Sequence, residues 1–197
     1  MKKIIIATSN EGKLVEFRAL LADKDVEIVS MKQAGIDIDI EENGTTFEEN
    51  SVIKAKTVCE ASGCLCLSDD SGLEIDCLGG EPGIYSARYL GHDVPYEKKN
   101  RIILDRIKDV PTEKRTARYV CAVAAAFPDG RVLTVKDTLE GRIADEPAGD
   151  GGFGYDPIFF YPPANKTTAE LTSEEKNAIS HRGKALRRMV KLLEGEL

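Results

Sequence analysis

Thr116-Ala117-Arg118-Tyr119-Val120-Cys121-Ala122-Val123-Ala124-Ala125-Ala126-Phe127 is a long, nearly continuous apolar run, closed by Pro128-Asp129-Gly130. Proline, aspartate and glycine in series form turns, so the run reads as a strand that reverses into a second one from Val132 to Ile143. Upstream the pattern alternates. Lys3 to Thr8 reads as a buried first strand, followed by a helix with Leu14, Phe17, Leu20 and Leu21 as its apolar stripe, then a strand from Val26 to Val29. The acidic stretch Asp37 to Asn43 leads to a helix from Phe47 to Ala61, with Thr46 and Glu49 as a capping box and Gly63 as the stop. A short strand through Cys64-Leu65-Cys66-Leu67 is expected to break at Asp69-Asp70-Ser71-Gly72. Pro95 opens a helix carrying Ile103, Leu104 and Ile107.

Downstream of the hairpin come the glycine-rich run Gly149-Asp150-Gly151-Gly152-Phe153-Gly154-Tyr155-Asp156-Pro157 and a strand from Pro157 to Phe160. A last helix carries Leu186, Met189, Val190 and Leu193. Strand–helix alternation followed by long hairpin strands predicts an α/β fold with a mixed sheet and flanking helices, in one domain over residues 1–197. No internal repeat, low-complexity tract or linker argues for independent tandem domains.

With 197 residues, 42% of them hydrophobic, the chain can bury a substantial core. A formal net charge of -7 argues against an extended nucleic-acid surface. The apolar run after Lys2-Lys3 is far too short for a signal peptide, and no segment approaches membrane-spanning length. The five cysteines, Cys59, Cys64, Cys66, Cys77 and Cys121, lack the spacing of a zinc site. Reduced thiols and a cytoplasmic location are the expectation.

Four clusters carry candidate chemistry. Thr8-Ser9-Asn10-Glu11-Gly12-Lys13 places Ser9 or Asn10 as a helix cap and Lys13 in the first turn, where exposed N–H groups, the helix dipole and an ammonium favour an anion. The Walker pattern is absent, and no dinucleotide fingerprint follows the first strand. Asp69 and Asp70 end an apolar strand and face opposite sides of it, so one can enter a site while the other anchors the turn. Beside a phosphate, such a carboxylate suits magnesium, and Glu41 or Glu42 could supply a second ligand. Four glycines between 149 and 156 allow close backbone approach, and two aromatics and a carboxylate among them suit a flat base. Lys176 and Ser180-His181-Arg182-Gly183 complete the set. His181 reads equally as a helix cap or a ligand contact.

In this order, the clusters resemble the inosine triphosphate pyrophosphatase family, which hydrolyses non-standard purine nucleoside triphosphates. The resemblance spans nearly the whole chain and also includes Thr46-Phe47-Glu48-Glu49-Asn50 and Leu78-Gly79-Gly80-Glu81-Pro82-Gly83-Ile84-Tyr85-Ser86-Ala87-Arg88-Tyr89. It implies an elongated mixed α/β fold with two lobes about a nucleotide cleft, assembled as a homodimer. It further implies Thr8 to Lys13 as the triphosphate loop, Asp70 as general base and magnesium ligand, Glu41 as the other magnesium ligand, and Ser71 as a substrate contact. Phe153, Gly154, Tyr155, Asp156, Lys176, His181 and Arg182 would bind the base, and Lys54 would contact phosphate. The products would be a nucleoside monophosphate and pyrophosphate. A nucleotide sensor without turnover and a hydrolase removing only the terminal phosphate are the rival readings.

Overall fold

A computed structural model describes residues 2–8 and 10–196. In chain order its elements are β1 (Lys2–Ile6), α1 (Glu11–Leu20), β2 (Val26–Ser30), α2 (Phe47–Ser62), β3 (Leu65–Ile75) and α3 (Tyr96–Ile107). There follow β4 (Thr116–Ala126), β5 (Val132–Ile143), β6 (Phe159–Tyr161), β7 (Lys166–Thr167), α4 (Ser173–Ile179) and α5 (His181–Leu192). Among the described residues seven strands form one sheet in the order β2-β1-β3-β4-β5-β6-β7. β1 pairs in parallel with β2 (Ile4 opposite Ile28) and with β3 (Ile4 opposite Leu65), whereas β6 runs antiparallel to β5 and β7. The sheet is mixed, as the change of pattern along the chain predicts.

Two compact units arise by contact. The first comprises Met1–Asp70, Cys121–Asp137 and Arg182–Leu197, and the second Ser71–Val120 and Thr138–His181. In the first, Ile4, Ile6, Leu65, Leu67, Val123 and Ala125 pack with Leu14 and Phe17 of α1 and Leu186 and Met189 of α5. The alternate residues Ile5, Cys66, Ala124 and Ala126 pack with Ala55, Val58 and Cys59 of α2. Covered on both faces, these strands read as unbroken apolar runs. The second unit gathers Leu73, Ile75, Ile103, Ile107, Tyr119, Leu139, Ile143 and Phe159 around its own core.

Local signals account for most element ends. The Asn10 side chain accepts the N–H groups of Gly12 and Lys13 and caps α1. Thr46 caps α2 through the Glu49 N–H, and Gly63 at φ 65° ends it. The Glu49 carboxylate reaches back to the N–H and hydroxyl of Thr45, with a lesser contribution from the Thr46 N–H.

Three expectations are corrected. β3 does not break at Asp69-Asp70-Ser71-Gly72 but runs through it, because both buried carboxylates meet cations from other elements. Pro157 lies in a single 3₁₀ turn over Asp156–Ile158, and the strand starts at Phe159. An additional helix, α4, precedes the last one. Cys77 is exposed, whereas Cys59, Cys66 and Cys121 are buried. Burial pushes the Cys66 thiol up to about 12. No described helix is long and apolar enough to cross a membrane.

Candidate active site

Within the first unit, three segments remote in sequence converge on the middle of β3. Asp69 is 1% exposed, and its Oδ2 lies 2.8 Å from Lys13 Nζ and 3.1 Å from Arg182 Nε. Burial alone would raise its pKa, but Lys13 and Arg182 outweigh burial and hold it well below the usual carboxylate range. Arg182 also donates from Nη1 to both carboxylate oxygens of Glu16, at 3.0 and 2.9 Å. A chain of alternating charge thus runs from Glu16 of α1 through Arg182 of α5 and Asp69 of β3 back to Lys13.

Asp70 has other partners. Its Oδ1 accepts from Lys54 Nζ at 3.1 Å, and the same ammonium lies 3.1 Å from Glu42 Oε2. Burial, reinforced by the charge of Glu42, raises the Asp70 pKa against the opposing pull of Lys54. Burial alone would lower the Lys54 pKa, but Asp70, Asp69 and Glu42 together carry it upward. Asn50 links the acidic loop to this pair: its Oδ1 accepts the Gly44 N–H at 2.9 Å while its Nδ2 faces Asp70 Oδ2 at 3.4 Å. A Cβ at Gly44 would stand 2.7 Å from that Oδ1, so only glycine lets the loop approach so closely.

Two carboxylates sharing one ammonium leave a surplus negative charge, and their donor atoms are all oxygen. Such a pair suits a hard divalent cation that takes one or two carboxylates and keeps water or phosphate oxygens. No cluster of three or more His, Cys, Asp or Glu able to hold a metal occurs among the described residues, so water and ligand oxygens must complete the shell. The donor set therefore fits magnesium. The structure brings Glu42 to Lys54 and Asp70, while Glu41 is exposed beside it.

The second unit organises a different chemistry around Asp156, 2% exposed at the end of the glycine-rich run. Its Oδ1 accepts from Thr168 Oγ1 at 2.8 Å and Tyr119 Oη at 3.3 Å, and its Oδ2 accepts the Phe153 N–H at 2.8 Å. Lys176 Nζ donates to the same Oδ2 and stands 4.6 Å from the centre of the Phe153 ring. At Gly152, φ is +71° and a Cβ would fall 2.2 Å from Asp156 Oδ2, which excludes any side chain. The close approach expected of these glycines thus includes approach by the protein's own carboxylate. Phe153 is 60% exposed, with its ring available for stacking. Tyr155 is instead buried, its hydroxyl donating to the Ser86 carbonyl at 2.7 Å. The His181 ring stacks on Tyr119 at 4.9 Å and 12°.

Of the residues singled out by sequence, Lys13 and Asp70 share the first unit with Arg182, which joins Asp69 rather than the Phe153–Lys176 cluster. Phe153, Asp156 and Lys176 meet in the second unit. Thr8 accepts the Asn10 N–H, Glu11 is exposed at the start of α1, and Ser71 is half-buried on β3. Ser9 lies outside the described residues. Sequence reasoning passed over Glu16, Asn50, Tyr119 and Thr168. Asn50 carried a signal: with Lys54 it falls on the stripe Phe47, Ser51, Ala55 and Val58 that α2 buries. Polar residues on a core-facing stripe mark a site.

Residues 4–192 match the Ham1 family model. The "dITP/XTP pyrophosphatase" of Bacillus subtilis (strain 168) is 48% identical over 194 residues, covering 98% of each chain. The solved Staphylococcus aureus Ham1 protein superposes with a TM-score of 0.91 at 40% identity, covering 100% of each chain. A HAM1 protein from Coxiella burnetii does so at 0.93 and 38% identity, covering 99% of this chain and 100% of its own.

Proposed function

This chain belongs to the Ham1 family, and from that premise we propose that it is a magnesium-dependent nucleoside triphosphate pyrophosphatase of the cytoplasm. Its substrates are non-standard purine nucleotides such as dITP, ITP and XTP, cleaved to the monophosphate and pyrophosphate. One observation carries the reading: Asp70, half-neutralised by a lysine shared with Glu42, stands one residue from the carboxylate that holds Lys13.

Lys13 and the head of α1 meet the negative charge of the triphosphate. Lys54, between two carboxylates, adds a second cation for phosphate oxygens. Asp70 orients a water and takes its proton as oxygen attacks the α-phosphorus, with pyrophosphate leaving. Asp70 with the Glu41–Glu42 pair would hold magnesium, Glu42 being the carboxylate that geometry favours. Bound there, the ion would neutralise phosphate charge and polarise the phosphorus centre.

In the second unit the exposed Phe153 ring supports the base by stacking. Lys176, fixed on Asp156, is a donor for a purine keto oxygen, and His181 lies in the same unit. The two units correspond to the lobes of the family, and the working assembly is a homodimer. A panel of nucleoside triphosphates, with pyrophosphate and orthophosphate measured separately, tests the reading. Pyrophosphate from ITP with magnesium is expected. Orthophosphate alone would make it a terminal phosphatase, and binding without turnover would make it a sensor.

A further inference from the structure

We propose that Asn100, on α3, is a positioning residue for base selection: its amide holds the Gly154 carbonyl and so fixes the loop that presents Phe153 and Asp156. The inference rests on the proposed nucleotide pyrophosphatase reading, in which that loop receives the base.

Asn100 is 4% exposed, and its Nδ2 donates to the Gly154 carbonyl at 3.1 Å across 54 residues of chain. One turn earlier on the same face, Tyr96 sets its ring edge-on to Tyr155, centroids 5.2 Å apart at 89°. A Cβ at Gly154 would lie 3.6 Å from that Tyr96 ring, at ordinary contact distance, so the ring flanks the loop at this residue. Lys99, also buried, places its ammonium 4.8 Å from the Tyr96 ring centre and donates to the Ala87 carbonyl at 2.8 Å. The first half of α3 thus buries polar side chains, whereas its second half buries Ile103 and Ile107.

Stability alone does not call for an asparagine there. Asparagine is a mediocre helix former, and Asn100 Oδ1 is buried with no hydrogen-bond donor among the described residues, an unmatched acceptor that weakens a fold. What the residue supplies is the donor to Gly154. From inside the loop, Asp156 ties the Phe153 N–H; from outside, Asn100 ties the Gly154 carbonyl. Together they restrain the Gly152–Phe153 and Gly154–Tyr155 peptides, one on each side of the Phe153–Gly154 peptide that follows the exposed ring. Asp70 and Lys13 belong to the other unit, so loosening this loop should alter binding of the base and leave the chemical step.

The test compares wild type, Asn100→Ala and Ile103→Val by steady-state kinetics with ITP and ATP. The isoleucine is fully buried on the same helix and serves as the control for destabilisation alone. For Asn100→Ala we expect KM for ITP to rise about tenfold and the ITP-over-ATP ratio of kcat/KM to fall about tenfold, the size of one lost hydrogen bond, with kcat little changed. Ile103→Val should leave KM for ITP and the ITP-over-ATP ratio at wild type. An Asn100→Ala enzyme that folds and keeps full discrimination, or that loses kcat at unchanged KM, overturns the inference. If wild type itself fails to prefer ITP, the functional reading falls instead. Should Asn100→Ala not fold, Asn100→Leu, of similar size but with no donor, is read by the same criteria.

Discussion

Asp69 and Asp70 are successive residues of β3, yet they bind different cations: Asp69 is closed between Lys13 and Arg182, and Asp70 shares Lys54 with Glu42. Alternation along a strand separates the two side chains. One carboxylate organises the charged framework, and the other remains under-neutralised and able to accept a proton.

Asp70→Asn should therefore lose activity without losing the fold. Removing a general base costs roughly a hundredfold to ten-thousandfold in rate. Because Glu42 remains for Lys54, the melting temperature should stay near that of wild type. Calorimetry with a pyrophosphate-release assay checks both, and near-wild-type turnover by a folded variant rules out the role.

Asp69→Asn should behave in the opposite sense. It strips a buried arginine of one partner, a change that costs about 3–5 kcal/mol when an ion pair is broken inside a protein. Since Lys13 and Arg182 hold the folded carboxyl below its unfolded value, the contribution is complete above about pH 4 and is lost as acid protonates the unfolded chain first. Urea titrations at pH 7, 5 and 3 should show the gap between wild type and variant narrowing only at the lowest pH.

Lys13→Ala leaves Asp69 with Arg182 as partner, so the variant should lose about 1–3 kcal/mol of stability, more than an ordinary surface lysine. Its triphosphate hydrolysis should fall far more. Full specific activity in a weakened fold would make Lys13 purely structural.

Glu42→Gln and Glu41→Gln separate two adjacent carboxylates. Glu42 lies 3.1 Å from the ammonium held by Asp70, and Glu41 is exposed. The magnesium concentration for half-maximal activity should rise more in Glu42→Gln. The reverse order would return the ligand to Glu41.

Lys176→Ala removes the donor poised over Phe153 and should lower the preference for ITP over ATP. A site that hydrogen-bonds one group can reject its analogue by roughly ten-thousandfold, and a site open to water by less. The matching Arg182→Ala should chiefly destabilise, since Arg182 is buried on Glu16 and Asp69. Unchanged selectivity in Lys176→Ala would exclude that lysine from base recognition.

The runs Ile4-Ile5-Ile6 and Thr116 to Phe127, the Thr46 cap and the Gly63 stop all announced themselves in sequence, because each depends on neighbours within a few residues. The Thr172–Glu175 capping box at the head of α4 was equally local, and reading it would have found that helix. The continuation of β3 through Asp69-Asp70-Ser71-Gly72 was not local. Two adjacent acids and a glycine mark a turn unless cations arrive to satisfy them, and here those come from α1, α2 and α5. Sequence by itself determined which residue types stand ready for phosphate, metal and base. Only the tertiary structure decided that Arg182 serves Asp69, that Glu42 rather than Glu41 meets Lys54, and that Tyr155 is buried. Ion pairs and burial depend on distance through space, and that distance is set by how strands and helices pack rather than by spacing along the chain.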